Sequence, residues 1–204
     1  MTVKPATDAE IAALSLTSRQ GWPAEMRGLI ERYPRECWRT HENLGGMAQF
    51  WLQRHGMFRE LGASIEEVTA QFRAGAIPHT EFPRWFAPRL QFFLEQLQVH
   101  HRIEDGHYFP LLREADERLR RGFDVLEADH GALHDDIDRS VAAANGLLRA
   151  IGADADTLRR AADDYASAGS ILLKGLNRHL DDEEDLIVPL ILDRGEDELG
   201  VAHG

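Results

Sequence analysis

Two stretches of this chain repeat one arrangement of residue types that are able to ligate a metal. The first reads His100-His101-Arg102-Ile103-Glu104-Asp105-Gly106-His107-Tyr108-Phe109-Pro110, and the second begins at His179. In each, a histidine is followed at i+4 by a glutamate and at i+10 by a proline: His100, Glu104 and Pro110, then His179, Glu183 and Pro189. Four residues of α-helix rise about 6 Å and turn about 40° past one full turn, so both side chains reach one point beside the helix. A third stretch carries His130 and His134, a His-x3-His pair of the same geometry, and His41 adds one imidazole earlier in the chain. A single His-x3-Glu pair often serves only solubility. Two copies with one proline offset indicate a single task done twice, and nitrogen and oxygen donors from four segments suit the holding of a metal.

The bland alternative is a set of solvated faces, since Glu104 and Glu183 sit in acidic clusters. Against it, His100 falls near Leu97, Ile103 and Leu111, and His179 near Leu172, Leu176 and Leu186. His130 and His134 fall on the side of Leu126, Leu133 and Ile137. Burying such groups uncompensated is costly, and a bound metal removes the cost by taking up their lone pairs. Other residues are assigned outer roles. His107 shares the face of His100 and Glu104 and is read as an outer partner, an extra ligand or a partly buried histidine. His101 is turned about 100° from His100 and is read as a surface or outer group. A register pairing His101 with Asp105 is the alternative, but the proline offset favours His100. Tyr108 is a possible hydrogen-bond donor near the site. His55 is assigned to packing or the surface, Cys37 to a buried inert thiol, and His79 and His203 to solvent. Trp22, Trp38, Trp51 and Trp85 are read as core or helix-interface material.

Rods must carry these residues, and the apolar residues recur every three or four positions, as helices require. The periodicity predicts a first helix from Trp38 to Leu61, continuous through Gly45-Gly46, after a shorter one near Pro23 to Tyr33. A short amphipathic helix follows from Ala63 to Ala74, closed by Gly75, and Pro78 and Pro83 punctuate the next connection. Further helices run from about Arg84 to Arg120, with Pro110 bending or breaking it, from Phe123 to Ile151, and from Thr157 to Leu192. Asp154 or Asp156 caps the last. The expected fold is all-α, an antiparallel up-down-up-down four-helix bundle, with an irregular helical domain as the alternative. The expected divisions are an N-terminal extension (1–34), the bundle (35–194) and a C-terminal tail (195–204).

Composition narrows the function. The 204 residues hold 23 Lys+Arg and 35 Asp+Glu, a net charge of −12 that disfavours nucleic acid. One cysteine precludes an internal disulfide, no apolar run reaches membrane-spanning length, and MTVKPATDAE lacks a signal-peptide core. A cytoplasmic protein without a membrane partner is expected, its oligomeric state open. No phosphate-cradling glycine loop, CxxC pair or nucleophile elbow occurs.

The order His41, His100 and Glu104, His130 and His134, His179 and Glu183 resembles the hemerythrin-like family, specifically the bacterial HHE cation-binding domains. The resemblance covers about residues 35–192, with an enlarged connection at 62–83 and an extra N-terminus. It implies two non-haem iron ions bridged by hydroxide or oxide, with dioxygen or another small diatomic molecule as ligand. Carried over, His130, His134 and His179 would ligate one iron and His41 and His100 the other, with Glu104 and Glu183 bridging. The invertebrate oxygen carriers place an Asp at i+5 of the last motif. Here i+4 is Glu183 and i+5 is Glu184. Glu183 is preferred, because Glu184 points about 140° away from His179 on a regular helix. The implied donor set fills all but one position of two octahedral ions, leaving room for a small ligand. Its many imidazoles and few carboxylates favour binding dioxygen over cleaving it. The expected function is dioxygen binding for sensing, storage or delivery. The alternatives are a di-iron oxidoreductase acting on peroxide or nitric oxide, an iron-handling protein, or a helical module binding zinc or nothing.

Overall fold

The computed structural model describes residues 13–202. The first twelve residues of the expected N-terminal extension, and His203, lie outside these. The described elements are all helical, with no strand among them. A 3-10 turn, Ala24–Met26, precedes α1 (Gly28–Arg32) and α2 (Arg35–Trp38). Then come α3 (Gly46–Arg73), α4 (Phe82–Ile103), a π-helical turn (Glu104–Tyr108) and α5 (Phe109–Ala115). The chain continues through α6 (Arg120–Ala150) and α7 (Ala155–Arg194) to α8 (Glu196–Leu199). No described helix is long and apolar enough to cross a membrane.

α3 starts later and ends later than its sequence pattern suggests. The Gly45-Gly46 pair stops the helix from extending back to Trp38, because glycine is a poor helix former. The break is held in place by Glu196, whose Oε1 accepts the Ala48 N–H at 2.8 Å. A Cβ on Gly45 would overlap that carboxylate. Beyond Leu61, the expected separate short helix is a continuation of α3. The buried stripe Trp51, His55, Phe58, Gly62, Ile65, Thr69, Phe72 advances by four and three without interruption, which is the stride of one helix face.

Pro110 acts upstream of itself. It has no N–H to give the Gly106 carbonyl, and its ring crowds that carbonyl. The helix widens ahead of it, and the Phe109 N–H bonds to the Glu104 carbonyl five residues back. α5 ends at Ala115, where Asp116 Oδ1 accepts the Arg118 N–H at 2.9 Å. α6 and α7 fall close to their expected spans. Asp154 caps α7 by accepting the Thr157 N–H at 2.9 Å, and α7 passes Pro189 without a break.

The chain divides into two compact units. The first comprises residues up to Gly56, His101–Gly131 and Arg178 onward. Its core is built from Trp22, Met26, Trp51, Phe109, Phe123 and Leu190, with Trp38, Val188 and Leu192 forming a smaller cluster. The second comprises Met57–His100 and Ala132–Asn177. There Phe72 stacks on Phe82 at 4.0 Å and Phe82 on Phe86 at 4.6 Å, while Phe86 meets Tyr165 edge-on. Aromatic pairs of this kind add specificity beyond their buried area.

Candidate metal centre

Helix stride decides which imidazoles enter the core. On α4 the buried stripe runs Phe86, Leu90, Phe93, Leu97, His100, and the next step is Glu104 at the start of the π turn. His101 stands seven residues after the buried Leu94 and four after Leu97, so it too faces inward. On α6 the stripe runs Phe123, Leu126, His130, Leu133, Ile137. The step after His130 is three, so Leu133 takes the core position and His134 is exposed. On α3, His55 is a member of the stripe between Trp51 and Phe58. α7 contributes His179 and Glu183, both fully buried.

Two groups of four result. His101, Glu104, His130 and His179 form one, and His55, His100, Glu104 and Glu183 the other; within each, one ligand atom per residue lies within 4.8 Å of the rest. Glu104 belongs to both. Glu183 Oε2 lies 3.5 Å from His55 Nε2 and 3.5 Å from His179 Nε2, so it touches an imidazole of each group.

The imidazoles are aimed by carboxylates behind them. His130 Nδ1 lies 2.8 Å from Asp105 Oδ1, His179 Nδ1 3.4 Å from Asp129 Oδ2, and His55 Nδ1 3.0 Å from Glu184 Oε1. An Nδ1–H donated to a carboxylate leaves the Nε2 lone pair free, and in each ring Nε2 is the atom turned to the cluster. His130 Nε2 and His179 Nε2 stand 3.1 Å apart, with Glu104 Oε2 3.4 Å from the former. His101 stacks on His130 at 4.1 Å. Electron pairs facing one another in a dry interior repel unless a cation lies among them. Neighbouring donors on one octahedral ion, with bonds of about 2.1 Å, stand about 3.0 Å apart. The donor set and its spacing therefore fit a metal.

The electrostatics agree. Burial drives the carboxyls of Glu104 and Glu183 well above the usual range, and the charge of Glu104 adds to the effect at Glu183. Burial also pushes His179 down to about 3, so the ring is neutral and available as a ligand. A dry interior that resists carboxylate charge by itself accepts it beside a cation.

The structure brings together five of the residues expected from sequence: His100, Glu104, His130, His179 and Glu183. It does not bring His41 or His134 to them. His41 lies in the segment between α2 and α3, where Nδ1 accepts the Asn43 N–H at 3.2 Å and the ring meets Tyr33 edge-on. His134 points outward for the reason of stride given above. His101, expected outside the ligand set, is a member of the first group, and His55, expected in packing or at the surface, of the second. The donor inventory is still five imidazoles and two carboxylates. The signals for the exchange were present: His55 completes the 4-3-4 stripe of α3, and His101 follows Leu94 by seven. Glu184 backs His55. His107 is exposed beside Tyr108, whose own ring is half-buried edge-on to Trp51 at 4.9 Å.

The family model described as the hemerythrin HHE cation binding domain matches residues 46–191. Every member of the two groups lies within that span, and His41 precedes it. Comparison with curated proteins and with solved structures returned no match.

Proposed function

This chain belongs to the hemerythrin HHE cation-binding family, and from that premise we propose that its buried cluster holds two non-haem iron ions and binds dioxygen, for sensing, storage or delivery in the cytoplasm. The observation that carries the reading is the sharing of Glu104 between two donor groups, with Glu183 in contact with an imidazole of each. His101, His130 and His179 would hold one ion and His55 and His100 the other, with the two glutamates between them. Ferrous iron held by these residues would supply the electrons that dioxygen requires to bind.

The protein's own residues supply the rest. Five imidazoles and two carboxylates bring little negative charge, which favours ferrous ions and leaves higher oxidation states less stabilised than a carboxylate-rich site would. Asp105, Asp129 and Glu184 fix the tautomers of His130, His179 and His55. Burial of all seven donors keeps bulk water from the site.

The test joins metal analysis to an absorption spectrum. Protein loaded anaerobically with ferrous iron is expected to hold two ions per chain and to change colour reversibly as air is admitted and withdrawn. Zinc alone, with no uptake of ferrous iron, refutes the proposal. Turnover of peroxide or nitric oxide with rapid bleaching replaces dioxygen binding with an oxidoreductase. Irreversible air oxidation without an oxygen-dependent band replaces it with iron handling.

A further inference from the structure

The segment that precedes the matched domain reaches both donor groups from behind. Arg19 is buried, its side chain wholly so. Its Nη1–H and Nη2–H groups donate to the two oxygens of Asp129 at 3.1 and 2.5 Å, its Nε–H donates to Asp182 Oδ2 at 2.7 Å, and Nη1 also donates to the Leu14 carbonyl at 2.8 Å. Asp129 in turn faces His179 Nδ1. Trp22, from the same segment, donates its indole N–H to the Asp182 carbonyl at 3.0 Å.

Arg35 does the corresponding thing on the other side. Its Nη1–H donates to Glu184 Oε2 at 2.7 Å, while Glu184 Oε1 faces His55 Nδ1. The guanidinium is fixed further by Asp185 Oδ1 and the Asp181 carbonyl, and it lies over the Trp38 ring at 4.8 Å.

We infer that Arg19 and Arg35 are positioning residues of the metal centre, each serving one metal position: Arg19 acts through Asp129 on His179, and Arg35 through Glu184 on His55. The division follows from membership, since His179 belongs only to the first donor group and His55 only to the second. The buried guanidinium of Arg19 is a poor device for stability alone, because an apolar side chain of similar size does as well, and Arg35, although exposed, spends its donors on Glu184, Asp185 and the Asp181 carbonyl. The planar guanidinium fork is well suited to holding a carboxylate in one orientation. The carboxylate fixes the proton on Nδ1, and the imidazole then presents Nε2 to the metal. His130 needs no such support, because Asp105 reaches it from the π turn. The inference rests on the two-metal reading above.

Full-length protein is titrated anaerobically with cobalt(II) against a competing chelator, read by the cobalt absorption bands. His130→Ala and His55→Ala identify which phase belongs to which position. Arg19→Lys and Arg35→Lys keep the charge and lose the fork. Arg19→Lys is expected to weaken the phase that His130→Ala abolishes by about 10–100-fold, with the other phase within roughly twofold, and Arg35→Lys to do the reverse. A merely structural role would lower the melting temperature of metal-free protein without this crossed selectivity. If Arg19→Lys does not fold, Asp129→Asn probes the same relay and is expected to weaken the same phase. Unchanged affinities, or equal weakening of both phases, overturn the inference while leaving two bound ions in the wild type. Failure of the wild type to take up cobalt or ferrous iron instead overturns the two-metal reading itself.

Discussion

Replacing His101 by leucine separates the donor set seen in the structure from the one implied by sequence. His101 is fully buried, stacks on His130 with ring planes 12° apart, and belongs to the first donor group. Losing an outer partner of a ligand costs about 10–100-fold in metal affinity. Losing a direct donor from a group of four should exceed that upper bound, which corresponds to about 2.7 kcal/mol. Leucine is close in volume to histidine, so packing of the metal-free chain is little disturbed. The control is His134→Leu, a change at an exposed position of α6. Metal analysis after equilibrium dialysis should find one ion per chain in His101→Leu and two in His134→Leu. Two ions at wild-type affinity in the first, or one ion in the second, would refute the stride argument that places these rings.

Two further outcomes concern the scaffold. Gly45→Ala should displace the Glu196 carboxylate from the Ala48 N–H. Loss of such a cap costs about 1 kcal/mol, a fall of roughly 2–4 °C in Tm for a chain of this size. Glu196→Ala should cost about the same, and the double variant no more than either, because both remove one interaction. Asp116 offers a pH test away from the metal. The Arg118 hydrogen bond holds its carboxyl below the ordinary value of 3.8, against the opposing effect of burial. A lowered folded value adds stability that is present above 3.8 and lost as pH falls through the folded value. Asp116→Asn should therefore cost about 1 kcal/mol at neutral pH in urea unfolding, and that difference should close in acid. A difference that persists at pH 2 would show that charge is not its source.

Much of this arrangement was legible in the sequence because helices advertise their faces. The paired His–Glu–Pro pattern picked out Glu104, Glu183, His100 and His179, four members of the candidate groups, and the spans of α6 and α7 followed from apolar periodicity bounded by Gly152 and Asp154. The candidate groups differ from the expected set first because a ligand was expected to recur at i+4 of His130. A core stripe alternates steps of three and four, so His130 is followed inward by Leu133, and His134 turns away. His41 stands outside the candidate groups for a different reason: a tertiary contact from Glu196, far along the chain, fixes the start of α3 after it. The outer carboxylate Asp129 and its partner Arg19 lie 110 residues apart, and no local pattern announces such a pairing.

The π turn at Glu104–Tyr108 has a consequence for how this chain tolerates change. It inserts one residue beyond α-helical register between the donors of α4 and the apolar anchors Phe109 and Leu112. Deleting Gly106 or His107 would rewind the turn to regular α-helix and keep those anchors in phase with His100 and His101, whereas inserting a further residue would rotate them by about 100°. Substitutions at the exposed Gly106 or His107 leave that phase intact. At this point the helix already absorbs one residue more than its register allows, so a further insertion should be purged here even where point changes drift freely.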